Sequence, residues 1–169
     1  KGAPIVKHEG SRAFYRPSTD GINMPPKEAF VKETAYYTTL FHEFGHSTGH
    51  KDRLDRTGDG LGKAAFGSGS YSKEELVAEM SASMLAGHAG ILDDTIEQSA
   101  AYIQSWRQRL SKDPKLVVQA AGKAQKAVDH ILGVVWDNDK PTSDKLHAPM
   151  PAMKTDPKPA PKQIQGMLF

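Results

Sequence analysis

Apolar and polar positions change their spacing several times along this chain. Near the start they come in short runs, Pro4 to Val6, Ala13 to Tyr15 and Ile22 to Met24, separated by the turn residues Gly10-Ser11 and Arg16 to Gly21. Short extended runs between such turns predict strands. The first two are expected to pair as a hairpin across His8 to Ser11, and the third to complete a small antiparallel sheet. Pro25-Pro26 ends the third strand and starts a helical entry. From Thr34 the spacing becomes helical, with Tyr37, Leu40 and Phe44 on one stripe and a stop expected at Thr48-Gly49. Residues 51–70 hold Gly58, Gly60, Gly62, Gly67 and Gly69 among Asp and Arg, and read as a long loop that lines a cleft or merely connects. A second helix is expected to open at Ser72 as N-cap and to run through Leu76, Val77, Met80, Met84 and Leu85 to Gly87, with Gly90 as its end. A third is expected over Ile96 to Leu110. Asp113-Pro114 marks the start of a fourth, from Lys115 to Leu132, stopped by Gly133. Beyond Asp137, six prolines are spread among Lys, Asp and Ser, too little apolar area to offset the entropy of ordering, so a disordered tail is expected.

This pattern implies an α+β domain over 1–136, a small N-terminal sheet followed by four main helices, and a flexible tail over 137–169. The tail helps to explain a hydrophobic content of only 38 % in 169 residues. The chain has no cysteine, so disulfides and thiolate metal sites are excluded and any metal must use His, Asp or Glu. Absence of cysteine, of a signal peptide and of a membrane-length apolar run suits a cytoplasmic protein with no membrane partner. The opening Lys1-Gly2, with no methionine, reads as a piece of a longer protein. A net charge of +2 argues neither for nor against nucleic acid. Lys112, Lys115, Lys123 and Lys126 read as a solvated helix face, with DNA contact the alternative.

The chemistry centres on His42-Glu43-Phe44-Gly45-His46, which spells H-E-x-x-H within the first predicted helix. Residues four apart on a helix share a face, so His42 and His46 can close on one ion while Glu43 stands beside its open position. Zinc is the expected ion, with Mn2+ or another divalent metal as the alternative; it would lower the pKa of a water towards ~7, and Glu43 would take the proton. A third protein ligand is needed. Glu75 and Glu79 lie on one face of the second helix, with Glu74 off that face. The run Glu75-Leu-Val-Ala-Glu79 resembles the E-x-x-A/S-D helix of thermolysin-like gluzincins, which implies Glu75 as ligand and Glu79 as the acid that orients a histidine. The longer arm of Glu79 leaves exchanged roles open, and Ser72 with Glu75 would also make a capping box without any metal. Asp52 is a further alternative, because His42 to Asp52 is similar to the aspartate-ended metzincin pattern. Tyr71 and His88 are candidates to donate to the oxyanion of peptide hydrolysis. His50, past Gly49, is expected to face solvent.

More of the chain carries a resemblance. Arg12 to Asp20, Met24-Pro-Pro26, Tyr36 to His50, Arg53-Leu54, Tyr71 to Glu79, Ser99 to Ile103 and Gln119 to Ala127 resemble the metallopeptidase domain of ArdC-type antirestriction proteins. That domain recurs in plasmid-transfer primases and phage polyvalent proteins. The resemblance, over about Lys1 to Gly133, implies a zincin-like fold, a peptide or protein substrate, and protection of conjugating plasmid DNA from host restriction. It also implies single-stranded DNA as a partner, through an N-terminal domain that this chain lacks. The last residues, Gln165 to Phe169, resemble the bacterial sliding-clamp-binding pentapeptide Q-x-x-L-F, with Leu168 and Phe169 filling an apolar pocket and Gln165 bonding its rim. The sequence therefore carries a zinc endopeptidase reading, a non-catalytic metal-stabilised DNA-protection reading and a clamp-tethered interaction reading.

Overall fold

The computed structural model describes residues 2–56, 69–94, 104 and 113–135, with only the backbone of 69–72. Strands β1 (Ile5–His8), β2 (Phe14–Arg16) and β3 (Gly21–Met24) form one sheet in the order β1-β3-β2. The three-stranded sheet is the expected one, but its pairing differs. β2 and β3 are antiparallel, with Tyr15 opposite Ile22, while β1 runs parallel to β3, with Val6 opposite Ile22. No hairpin joins β1 to β2. β3 takes the centre because it is the strand with most to bury: Ile22 and Met24 are enclosed. The two registers set Val6 and Tyr15 on either side of Ile22, on one face. The centre strand also holds the connection, since Asn23 Nδ2 donates to the carbonyls of Glu9 and Arg12 at 2.7 and 2.6 Å.

A single 3-10 turn at Lys27–Ala29 leads into helix α1 (Glu33–Ser47). Its Tyr36 is buried against Ile22 and Met24, and Tyr37, Leu40 and Phe44 pack beside it, so the predicted stripe is the face turned to the sheet. The chain leaves α1 through tight turns rather than by a left-handed Gly49, whose φ is not positive. Leu54 N–H donates to Thr48 O at 3.0 Å and Arg56 N–H to Gly49 O at 3.0 Å, folding the exit back on the helix end.

Helix α2 (Gly69–His88) begins three residues before Ser72, so Ser72 lies in its first turn and cannot be the cap of a capping box with Glu75. Helix α3 (Pro114–Leu132) starts where Asp113-Pro114 placed it, and ends where Gly133 takes φ 67° and Val134 N–H donates to Asp129 O at 2.8 Å. Leu76 and Val77 of α2 pack on Leu116, Ala120 and Ala124 of α3, with Met80 and Met84 alongside. The expected third helix over Ile96 to Leu110 and the tail from 137 lie outside the described residues, as does most of the Gly-rich loop. No described helix is long and apolar enough to cross a membrane.

Candidate metal centre

The site lies on the seam where α1 crosses α2, and the seam is close because its residues are small. A Cβ on Gly45 would come 3.0 Å from Ala78 Cα, 3.2 Å from Ala78 O and 3.3 Å from Ser81 Cβ. A helix interior glycine costs about 1 kcal/mol against alanine, and here its missing side chain allows backbone-to-backbone approach. Ala78 and Ala82 are fully buried in the same seam. The approach brings Glu75 to the histidines. Glu75 Oε2 stands 3.4 Å from His42 Nε2, and Glu75 Oε1 stands 3.3 Å from His46 Nε2. The two Nε2 atoms are 3.1 Å apart. Among the described residues, His42, His46 and Glu75 are the group whose ligand atoms gather, all within 4.8 Å of one another.

Behind these groups stand further acids. His42 Nδ1 is 3.3 Å from Glu79 Oε2, so each ring nitrogen of His42 faces a different carboxylate of α2. His46 Nδ1 is 3.7 Å from Glu74 Oε1. Glu74 is buried and accepts two hydrogen bonds from Arg56, at 2.7 Å from Nη2 and 3.1 Å from Nε. Arg56 is buried too, and donates to Gly45 O and Thr48 Oγ1, both at 2.8 Å.

The electrostatics follow from this crowding. Burial favours the neutral ring of His42, yet the facing Glu75 and Glu79 outweigh it and raise the group to about 10. His46 is raised in the same way, by Glu74 and Glu75 against its burial. Glu75 is held well below the usual carboxylate range: burial opposes its charge, but both imidazoles favour it. The acids around them favour positive charge at this point, so two imidazoles and a carboxylate fit a divalent metal ion that would take the place of the imidazole protons.

Glu43 differs from its neighbours. It is buried, and burial pushes its carboxyl up despite the nearby histidines and the Tyr15 backbone N–H, which favour the charged form. Strand β2 thereby touches the site through its backbone. The strand is itself anchored: Tyr15 Oη donates to Asp20 Oδ1 at 2.9 Å, and Arg53 grips both oxygens of Asp20 at 2.8 and 2.9 Å. Arg53 also donates to Ser47 O at the end of α1. Burial and Asp20 raise Tyr15 to about 12, while Asp20 is lowered to about 2, chiefly by Arg53.

The other candidates fall elsewhere. Asp52 is not in the cluster; its backbone N–H donates to His50 Nδ1 at 3.2 Å and its carboxylate lies 3.6 Å from the same nitrogen. His50 is buried, contrary to expectation, because the folded-back turn after α1 closes over it. His88 is exposed at the far end of α2. The side chain of Tyr71, and Gln165, Leu168 and Phe169, lie outside the described residues. Arg56 and the role of Glu74 were not read from sequence. The signal for Glu74 was its place next to Glu75, but helical phase alone turns it about 100° away, and only the position of His46 shows what it faces.

Residues 1–123 match the family described as zincin-like metallopeptidase. The chain belongs to that family. This zincin-like domain is 47 % identical over 131 residues to a DNA primase TraC of Escherichia coli, a match covering 78 % of this chain and 12 % of the primase. It is 40 % identical over 124 residues to the Sinorhizobium fredii protein y4eC, covering 73 % of this chain and 39 % of that one. The crystal structure of the antirestriction protein ArdC of plasmid R388 in its Mn(II)-bound form is 44 % identical with a TM-score of 0.60, covering 78 % of this chain and 48 % of ArdC. The metal-free form gives 42 % and 0.61, over 76 % and 45 %. The ArdC-type resemblance is thus borne out, and the chain spans less than half the length of each of these relatives.

Proposed function

We propose that this zincin-like domain is a zinc-dependent endopeptidase within a plasmid antirestriction protein, with His42, His46 and Glu75 as its metal ligands. The observation that carries the reading is the gathering of those three ligand atoms within 4.8 Å, next to a buried Glu43. The Mn(II)-bound form of the related ArdC supports a divalent ion, and the all-nitrogen-and-oxygen donor set accepts zinc or manganese. A bound cation supplies Lewis acidity, which acidifies a water and polarises a peptide carbonyl.

The chain's residues do the rest. Glu43, with its carboxyl raised by burial, is a stronger base than a surface glutamate, and takes a proton from the attacking water. It then returns that proton to the leaving amine. The Tyr15 N–H keeps the Glu43 carboxylate aimed, and Glu79 orients His42. Tyr71 remains the proposed oxyanion donor. Protection of transferred DNA, single-stranded DNA as a partner, a bacterial cytoplasmic location, and clamp binding through Gln165, Leu168 and Phe169 belong to the whole protein as we propose it.

The test is peptide cleavage by the purified domain beside Glu43→Gln, with metal content measured on both. Glu43→Gln is expected to keep its metal and lose about 10²–10⁴-fold in rate. Equal rates would remove Glu43 as the base. A loaded protein that cleaves nothing, with antirestriction intact in Glu43→Gln, would favour the non-catalytic module.

A further inference from the structure

The sheet has a second face, turned away from α1. Alternation along the strands points Val6, Tyr15 and Ile22 towards α1 and their neighbours the other way. On that outer face Ile5, Gly21 and Arg16 make one cross-strand row, and Lys7, Asn23 and Phe14 make the next. We propose that this face binds single-stranded nucleic acid, with one base lying in the groove over Gly21 against Phe14 and Arg16, and phosphates on the flanking cations. The proposal assigns a site within this domain, beyond the partner proposed for the whole protein, and it does not depend on the metal reading.

The groove exists because the centre strand raises no side chain into it. Gly21 has none, and Asn23 is drawn to the β1–β2 connection by its bonds to the Glu9 and Arg12 carbonyls. Ile5 and Lys7 stand on one side and Phe14 and Arg16 on the other, around a volume of about 280 Å³. Neither backbone nor packing demands glycine at position 21. Its φ is not positive, and a Cβ would meet only Thr19 Oγ1 at 3.5 Å and Ile5 O at 3.7 Å, which are ordinary contacts. A glycine inside a strand weakens it, and its presence marks a place left open for something to approach.

What the groove offers is flat and cationic. The Arg16 guanidinium lies 4.9 Å from the centroid of the Phe14 ring, so a planar cation and an aromatic ring are stacked on one wall. Lys7, Arg12 and Arg16 are exposed on the strands and their connection, against one acid there, Glu9. Asp20, the next acid along, is gripped by Arg53. The excess of positive charge complements a polyanion. The backbone of the floor is engaged in the sheet, so a peptide laid across it would find no partners for its own amides. A single strand of nucleic acid needs none, because its bases require a flat apolar surface and its phosphates require cations. A duplex keeps its bases stacked on one another and has none to offer the groove.

The experiment follows the fluorescence anisotropy of labelled oligothymidylate and oligouridylate, each of about 15 nucleotides, titrated with the purified protein at several salt concentrations. Saturable binding is expected, the tighter of the two naming DNA or RNA as the source, with a duplex of equal length bound about tenfold more weakly. Phe14→Leu keeps apolar volume without the flat ring and is expected to lose about 5–100-fold in affinity. Gly21→Val fills the groove, suits a strand and keeps every charge. It is expected to lose as much, with its melting temperature unchanged or raised. Lys7→Gln with Arg16→Gln is expected to flatten the dependence of log Kd on log salt by about 1.4. Should Gly21→Val melt lower, Gly21→Ala, whose Cβ fits as the groove stands, still decides, with a smaller loss expected. Wild-type affinity in the folded Gly21 variants, or no saturable binding by wild type, would overturn the proposal. A duplex bound as tightly as the single strand would reduce it to phosphate attraction and overturn it equally. Tighter binding of an acidic, tryptophan-containing peptide would assign the groove to a protein partner instead.

Discussion

The two flanks of α1 are built in opposite ways. Towards the sheet it presents Tyr36, Tyr37, Leu40 and Phe44, and meets Ile22 and Met24 in an apolar layer. Towards α2 it presents Gly45 with His42 and His46, and meets Ala78, Ser81 and a row of acids. The first flank gains stability from volume and buried area. The second gives up side-chain volume so that two backbones approach, and fills the space with charges that neutralise one another. Burying charges that closely is at best neutral for stability, so their retention points to a ligand that they are arranged to hold.

If that contrast is right, the flanks respond differently to change. The largest effect belongs to the sheet flank: Ile22→Ala is expected to cost about 2–5 kcal/mol in chemical unfolding, while zinc affinity of the folded protein stays unchanged. On the seam the leading effect is metal itself. Zinc at 100 times its Kd is expected to stabilise the domain by about 2.7 kcal/mol, and that gain should vanish in His42→Ala. Removing the ion with a chelator should return the wild-type melting curve to its metal-free position.

The clasp that ties β2 to the end of α1 answers to acid. Asp20 is lowered from 3.8 to about 2, so its contribution is complete above 3.8 and is lost as pH falls through 2. That shift corresponds to about 2 kcal/mol. Unfolding measured from pH 5 downwards should show the loss, and Arg53→Met should flatten it. The smallest effect is expected from Gly45→Ala. Its Cβ has only backbone to push against at Ala78, an overpacking cost of about 1–3 kcal/mol, offset by about 1 kcal/mol of helix propensity. Zinc affinity should nonetheless fall, because the seam widens between the ligands. A Gly45→Ala protein with wild-type affinity would show that close approach of α1 and α2 is not what assembles the site.

Local signals in the sequence determined a good deal. The H-E-x-x-H spacing placed two imidazoles on one helix face, Asp113-Pro114 and Gly133 marked both ends of α3, and the short runs before Pro25 became three strands. These rest on neighbours a few residues apart, where backbone geometry and side-chain phase suffice. The choice of partners came from the tertiary structure alone. Val6 and Tyr15 flank Ile22 because β3 pairs with both outer strands, an arrangement that no turn residue announces. His50 is enclosed and Arg56 locks Glu74 behind His46 because two segments far apart in the chain pack closely at Gly45; the same packing brings Glu75, which the resemblance had already pointed to, to the histidines and leaves Asp52 aside. A helix reveals which of its residues share a face; what that face meets is settled only when the remainder of the chain has packed against it.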